Sequence, residues 1–245
     1  MISLIIPTRN RPKNIARLYE SWVNTGSKGE LILVTDHDDP FDYTSMNVRI
    51  VTNSYGDESE SVARPGTTVE KINVGAAVAK HDIIGFSGDD VVIKTNDWEN
   101  LVSDVMASET LTLGFPMCGK GQKVFPTHVF MTRALYEMLG WFAYPKLRHP
   151  WVDYVWDDIG HYLDKTGKGR YQKMVNVLFE HLHPIYCSDV EQDETYSRAY
   201  NYKSDEEEDE SIVYKGNEYW SWGPGHKHHV YDSDWKPVPE EVQAI

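Results

Sequence analysis

Cysteine is scarce: Cys118 and Cys187 are the two in a chain of 245 residues. They make no disulfide framework and no C-x-x-C pair of the zinc-binding kind, so a reducing, cytoplasmic setting is expected. Long apolar runs are missing too. The opening MISLIIPTRNRP has an apolar segment too short for the core of a secretion signal and carries no basic leader. No segment approaches the roughly 20 apolar residues of a membrane span. Basic charge is in deficit, with 24 Lys and Arg against 38 Asp and Glu and a net charge of -14. Nonspecific nucleic-acid binding needs cations to neutralise phosphates, so that partner class is disfavoured. A small phosphate-bearing ligand needs only a local site and stays open.

What is present fits one soluble α/β-sized domain with an appendage: 40% hydrophobic, 12% aromatic and 25% charged residues. ISLIIP (2–7) is a continuous aliphatic run, as expected of a strand covered on both faces. Pro12 suits the first turn of a helix, with Ile15, Leu18, Tyr19, Trp22 and Val23 at helical spacing and Gly26 at the stop. ELILVTD (30–36) and VRIVTN (48–53) read as further strands, the former ending in Asp36-His37-Asp38-Asp39. After a loop with Gly56, Pro65 and Gly66, Thr67 and Glu70 form a capping-box pattern that opens a helix through Ala79. HDIIGF (81–86) is the next strand and NDWENLVSDVMAS (96–108) the next helix. This alternation predicts a mostly parallel, Rossmann-like sheet flanked by helices. Such sheets bind ligands beyond the carboxyl ends of their strands. Thr8-Arg9, the 36–39 cluster and Asp89-Asp90 all fall at those ends.

Beyond residue 110 the alternation loosens. LTLGFP (111–116) and KVFPTHVFMT (123–132) are strand-like, and TRALYEMLGWF (132–142) reads as a short helix capped by Thr132. HPWVDYVWDDIGHYLDKTG (149–167) predicts an aromatic turn, then a helix of about two and a half turns closing at Gly167. VNVLFEHLHP (175–184) is a late strand with two histidines at its end. From about 188 the composition changes, through six consecutive acids (205–210) to a region rich in aromatics, Gly, Pro and His. The expected division is a domain over 1–187, split near 100 into a ligand-binding half and an acceptor-side half, and an irregular acidic extension over 188–245. There is no internal repeat.

FSGDDVVI (86–93) is the sharpest feature. Two adjacent carboxylates at the end of a buried strand favour protonation of one unless a cation or hydrogen-bond donors hold both ionised. Gly-Asp-Asp is also good turn chemistry. The flanking apolar runs keep the pair near the core, and a hard divalent cation such as Mg2+ or Mn2+ takes one or two carboxylates plus phosphate oxygens.

ISLIIPTRNRP, ELILVTDHDDP and EKINVGAAVAKHDIIGFSGDDV, in that order and spacing, resemble the nucleotide-diphospho-sugar half of a GT-A glycosyltransferase of the family 2 type. The match covers residues 2–100, with Gly-Asp-Asp standing where the family carries a DxD-like motif. The resemblance implies that Pro7, Thr8 and Arg9 border the base and ribose. It implies that Asp36 accepts a hydrogen bond from the base and that Lys71 and Asn73 lie near the base or diphosphate. Lys71 reads equally well as a solvated helix face. Asp89 would touch ribose or metal, and Asp90 would ligate the divalent ion, Mn2+ or Mg2+.

The same resemblance places the base for inverting transfer in an acidic pair at a helix N-terminus. Asp157-Asp158 before IGHYLDKTG matches, with Asp158 as base and Asp153 behind it. Helix N-termini stabilise carboxylates as anions, although Asp157 would also serve as a plain N-cap. His183, then His181, would complete the metal site. Trp141 reads as core and Trp151 as an acceptor wall, whereas His226, His228 and His229 fit a solvated segment. A UDP-sugar donor ranks first, and the acceptor hydroxyl (glycan, protein or small molecule) stays open. Two other readings compete. A sugar-phosphate nucleotidyltransferase would want a Gly-rich loop, and PTRNRP (7–12) has no glycine. A non-catalytic nucleotide-sugar or glycan-binding module would leave the acidic pairs idle.

Overall fold

A computed structural model describes residues 1–53, 67–106, 110–119, 125–145, 147, 152–183 and 187. Gly56, Pro65, Gly66, Trp151, Pro184, the three tail histidines and the 188–245 extension lie outside the described residues.

The elements run β1 (Ile2–Pro7), α1 (Pro12–Asn24), β2 (Glu30–Asp36), β3 (Arg49–Asn53), α2 (Thr68–Val78), β4 (Ile83–Phe86), β5 (Val91–Ile93), α3 (Trp98–Val105), β6 (Thr112–Met117), β7 (Val129–Thr132), α4 (Arg133–Leu139), α5 (Val152–Thr166) and β8 (Arg170–His181). The sheet order is β3-β2-β1-β4-β7-β6-β8-β5. β3, β2, β1 and β4 are parallel, as are β6 and β8; β7 runs against β4 and β6, and β5 against β8. The carboxyl ends of β1, β2, β3, β4 and β8 therefore share one rim, the location expected for a ligand in this class of sheet.

Period-two alternation divides the strands between two cores. Ile2, Leu4 and Ile6 of β1 face Leu18 and Trp22 of α1 and Trp98 of α3, whereas Ile5 faces Ile72 and Ala76 of α2. Trp98 is fully buried, with Trp22, Phe130 and Phe179 rings 5.1 to 5.7 Å away. α2 opens on the predicted capping box: Thr67 accepts from the Glu70 N–H, and Glu70 accepts from the Thr67 N–H. Its Gly75 lies on β1, where a Cβ would come 2.5 Å from the Ile5 side chain, so only glycine packs there.

Three expectations change. Thr132 stands at the N-cap of α4 without capping it, because its hydroxyl donates instead to the Thr110 carbonyl at 2.7 Å. β8 begins at Arg170, well before the expected 175. Its first half pairs with β6; after an irregularity at Pro116/Met117 the partner of Met117 is Leu178, and the last residues pair with β5. α5 is a 15-residue helix, not a short one starting after Asp158. Val152, Val155, Trp156, Ile159 and Leu163 form one buried stripe at helical spacing, and packing that stripe carries the helix back past the acidic pair.

Asn73, expected near the donor, has a different task. Its side-chain oxygen accepts from the Phe142 and Ala143 N–H groups, both at 2.9 Å, and its amide donates to the Ala143 carbonyl at 2.7 Å. Asn73→Ala should leave these backbone groups unsatisfied and cost about 2–3 kcal/mol in a urea unfolding titration.

Candidate active site

The chain leaves β1 through Thr8-Arg9-Asn10-Arg11, with Asn10 in the left-handed region at φ 55°. Asparagine tolerates that conformation better than most residues. Acids hold the segment on two sides. On the β2 side, Arg9 donates to Asp36 at 2.9 Å and grips both oxygens of Asp38 at 2.7 and 2.9 Å. The Asn10 N–H donates to Asp39 at 3.1 Å. Hydrogen bonds from Arg9 hold the Asp38 carboxyl below its usual range, and Asp38 in turn raises the guanidinium. Lys71, expected on donor or solvent, is buried: its Nζ donates to Asp36 at 2.6 Å and to the Thr8 carbonyl at 3.2 Å. Asp36 has a fully buried side chain between these two cations, so in this conformation it offers no open edge to a base.

On the other side lies Asp89. Thr8 Oγ1 donates to one of its oxygens at 2.8 Å and Arg11 Nη1 to the other at 2.9 Å, all within the buried interior. Burial pushes the Asp89 carboxyl up, and the Arg11 charge opposes that push. Asp90 turns elsewhere. Its Oδ1 is 3.2 Å from Nε2 of His181, and its carbonyl accepts from the Leu182 N–H at 2.7 Å. This contact follows from the β5–β8 register, in which Val91 is opposite His181. Gly88 leaves room for it, because a Cβ there would sit 2.6 Å from Asp90 Oδ1. His183 follows, its ring centroid 5.4 Å from that of His181.

Three acids stand on the first half of α5. Trp156 anchors that half, packing on Phe86 at the end of β4 at 5.3 Å and donating from Nε1 to the Phe142 carbonyl at 2.8 Å. Asp157 accepts from the Tyr171 hydroxyl at 2.6 Å. The acidic pair does not stand at a helix N-terminus: α5 starts at Val152, so Asp157 and Asp158 lie in its second turn, and Asp153 alone is in the first. Asp157 is therefore no N-cap. Burial, reinforced by the Asp157 charge, pushes Asp158 up to about 7; burial pushes Asp153 up to about 6. Tyr154, between them, meets the Phe125 ring at 4.5 Å, and the Phe125 carbonyl lies 3.9 Å from Cys118 Sγ. The Cys118 carbonyl accepts from the His181 N–H at 3.0 Å, so contiguous contacts join α5 to the Asp90 side.

A profile of Glycosyl transferase family 2 matches residues 3–149, more than half of the chain. The chain belongs to that family. Solved glycosyltransferases share its GT-A fold. TarS of S. aureus (residues 1–349) superposes with a TM-score of 0.54 at 16% identity, over 73% of this chain and 59% of that one. A Pyrobaculum calidifontis mannosyltransferase in complex with GDP-Man and Mn2+ gives 0.54 at 14%, over 74% and 56%. Glucosyl-3-phosphoglycerate synthase from Mycobacterium tuberculosis, in complex with Mn2+, UDP and glucosyl-3-phosphoglycerate, gives 0.53 at 16%, over 74% and 71%. The chain thus spans less than two thirds of the TarS fragment and of the mannosyltransferase. No curated protein sequence matches it. No helix among the described residues is long and apolar enough to cross a membrane.

The donor atoms of this family 2 glycosyltransferase fit a hard divalent cation. Two neighbouring ligands on an octahedral ion with bonds near 2.1 Å lie about 3 Å apart; Asp90 Oδ1 and His181 Nε2 are 3.2 Å apart. Among the described residues no group of three or more His, Cys, Asp or Glu could enclose an ion. The remaining positions would fall to phosphate oxygens and water, as is common for Mg2+. His181 stands against Asp90, and His183, ranked first from its place at the strand end, packs ring to ring with it.

Sequence reasoning missed Arg11 and His128. His128 is buried, with Nδ1 3.3 Å from Ser87 Oγ and its ring 5.0 Å from that of His181; burial pushes it down to about 3, so it is neutral. Arg11 sits in a segment that reads as a polar turn, and no local signal links it to a residue 78 positions away. His128 follows a loop and precedes four strand residues, a position indistinguishable from ordinary core packing.

Proposed function

We propose that the chain transfers a sugar, of the hexose type, from a nucleotide-diphosphate donor to an acceptor hydroxyl by one inverting displacement, with a UDP-sugar as first choice. The observation that carries this reading is the convergence of Thr8, Arg9, the Asp36–Lys71 pair, Asp90 and His181 on the rim of a family 2 glycosyltransferase sheet. Pro7, Thr8 and Arg9 border the base and ribose, with Arg9 as the partly exposed cation of its network. Asp36 acts behind them by holding Arg9 and Lys71. Asp89 fixes the segment that carries Thr8.

Asp90 and His181, with His183 beside them, would hold the divalent ion, Mn2+ or Mg2+. When bound, that ion neutralises charge on the leaving diphosphate. Ionised Asp158 accepts the proton of the acceptor hydroxyl as its oxygen bonds to the anomeric carbon and the bond to the diphosphate breaks. A carboxyl lifted to about 7 by burial suits a base working near neutral pH. Asp153 is the second candidate; Asp157, tied to Tyr171, orients the helix face. Complexes of two fold relatives with Mn2+ and a GDP-sugar or UDP support the donor and cation classes.

A melting-temperature screen of nucleoside diphosphates with and without Mn2+ tests the reading. A ligand at 100 times its Kd adds about 2.7 kcal/mol, which is roughly 5–10 °C for a chain of this size. UDP with Mn2+ should give such a shift, and either alone much less. If no nucleoside diphosphate shifts the melt with Mn2+ present, the donor assignment is wrong. Slow hydrolysis of the bound nucleotide sugar then separates an enzyme from a binding module.

A further inference from the structure

Arg11 has no part in the donor reading above, yet it makes one of the most buried ion pairs among the described residues. Its side chain is 8% exposed and that of Asp89 5%. Both oxygens of Asp89 receive donors from the segment after β1, Oδ1 from Arg11 and Oδ2 from Thr8. The opposite side of that segment is tied to the acids after β2, and Asn10 between the two ties holds the left-handed conformation. The next residue along, Asp90, projects to His181 instead.

We propose that Arg11 is a positioning residue of the donor site: its pair with Asp89 locks residues 8–11 onto the end of β4 and reserves Asp89 for that lock, leaving Asp90 as the carboxylate that faces the cation. The inference rests on the donor reading above. Its physical basis is the cost of an uncompensated buried carboxylate. A guanidinium satisfies that carboxylate directionally, through hydrogen bonds that a point charge does not fix as well. Without Arg11, Asp89 turns to whatever cation is nearest, and the segment carrying Thr8 and Arg9 loses its guanidinium tie to the end of β4.

The test is a Mn2+ titration followed by electron paramagnetic resonance in the presence of UDP, together with donor kinetics. In Asp89→Asn the amide oxygen still accepts from Arg11 while its NH2 can donate to the Thr8 hydroxyl. Mn2+ affinity should therefore stay within about 3-fold of wild type, against a loss of about 30-fold or more in Asp90→Asn. Arg11→Met should raise the donor KM by about 10-fold or more with a smaller change in kcat, and Arg11→Lys should recover part of that loss. Adding Asp89→Asn to Arg11→Met should restore melting temperature, because the unpaired buried charge is gone.

An equal loss of Mn2+ binding in Asp89→Asn and Asp90→Asn would make Asp89 a ligand and overturn the proposal. So would an Arg11→Met protein with wild-type donor KM and only a lower melting temperature. If Arg11→Met does not fold, the Arg11→Lys and Arg11→Met/Asp89→Asn proteins carry the same comparison. Absence of Mn2+–UDP binding in the wild type is a distinct result, which removes the donor reading and this proposal with it.

Discussion

Asp90→Ala should lower kcat/KM by at least about 100-fold, about 2.7 kcal/mol of transition-state stabilisation, while the protein stays folded. The two halves of this expectation have different causes. Activity falls because the carboxylate beside His181 supplies the anionic donor to the cation, and without it the leaving diphosphate is poorly neutralised. Stability holds because Asp89, whose carboxyl is pushed up first by burial, is pushed further by its like-charged neighbour Asp90. Removing Asp90 relieves repulsion that the fold sustains for function. The unliganded melting temperature should therefore be unchanged or higher, and the increment from Mn2+ with UDP should vanish. Melting curves with and without both ligands, beside a nucleoside-diphosphate release assay, read out both halves. Wild-type turnover with unaltered Mn2+ dependence in Asp90→Ala would place the cation elsewhere. A smaller but clear loss in His181→Ala, exceeding that in His183→Ala, would fix the order of the two histidines.

Local rules made the first hundred residues legible. β2 occupies the expected 30–36, because ELILVTD is bounded by Gly29 and an acidic turn. The Thr67 and Glu70 box opens α2 as predicted, since capping depends on residues three apart. The shared rim followed from βα alternation alone. Failures came where distant packing overrode a local signal. Asp157-Asp158 resembles a helix start, yet the apolar stripe that begins at Val152 packs against the sheet and draws the helix start back to Val152. The β8 irregularity that brings His181 to Asp90 has no sequence mark, because it is set by pairing first with β6 and then with β5. The partners of the acidic pair were illegible for the same reason. Arg11 and His181 reach Asp89 and Asp90 from opposite ends of the chain, and only the closed sheet brings them together.

The pH dependence of Asp158 gives the sharpest separation between a base and a structural carboxylate. Burial and Asp157 lift it from the ordinary 3.8 to about 7. For catalysis the ionised form is needed, so kcat/KM should rise about tenfold per pH unit below pH 7 and level off above it. For stability the sign is reversed. Between pH 3.8 and about 7 the folded chain keeps a proton that the unfolded chain has released, so stability falls as pH rises through this window. At about 1.4 kcal/mol per unit the full effect is on the order of 2–4 kcal/mol, an upper range for a side chain that retains some solvent. Asp158→Asn resembles the protonated acid in charge and shape. It should therefore match the wild-type melting temperature near pH 4 and exceed it at pH 8, while turnover falls by about 1,000-fold above pH 7, by progressively less below it, and loses the inflection. A base that is lost while the protein becomes more stable has no structural explanation. If instead Asp158→Asn keeps a tenth or more of wild-type activity and its pH profile still turns near 6, the proton acceptor is Asp153. In that case Asp153→Asn should remove both the activity and the inflection.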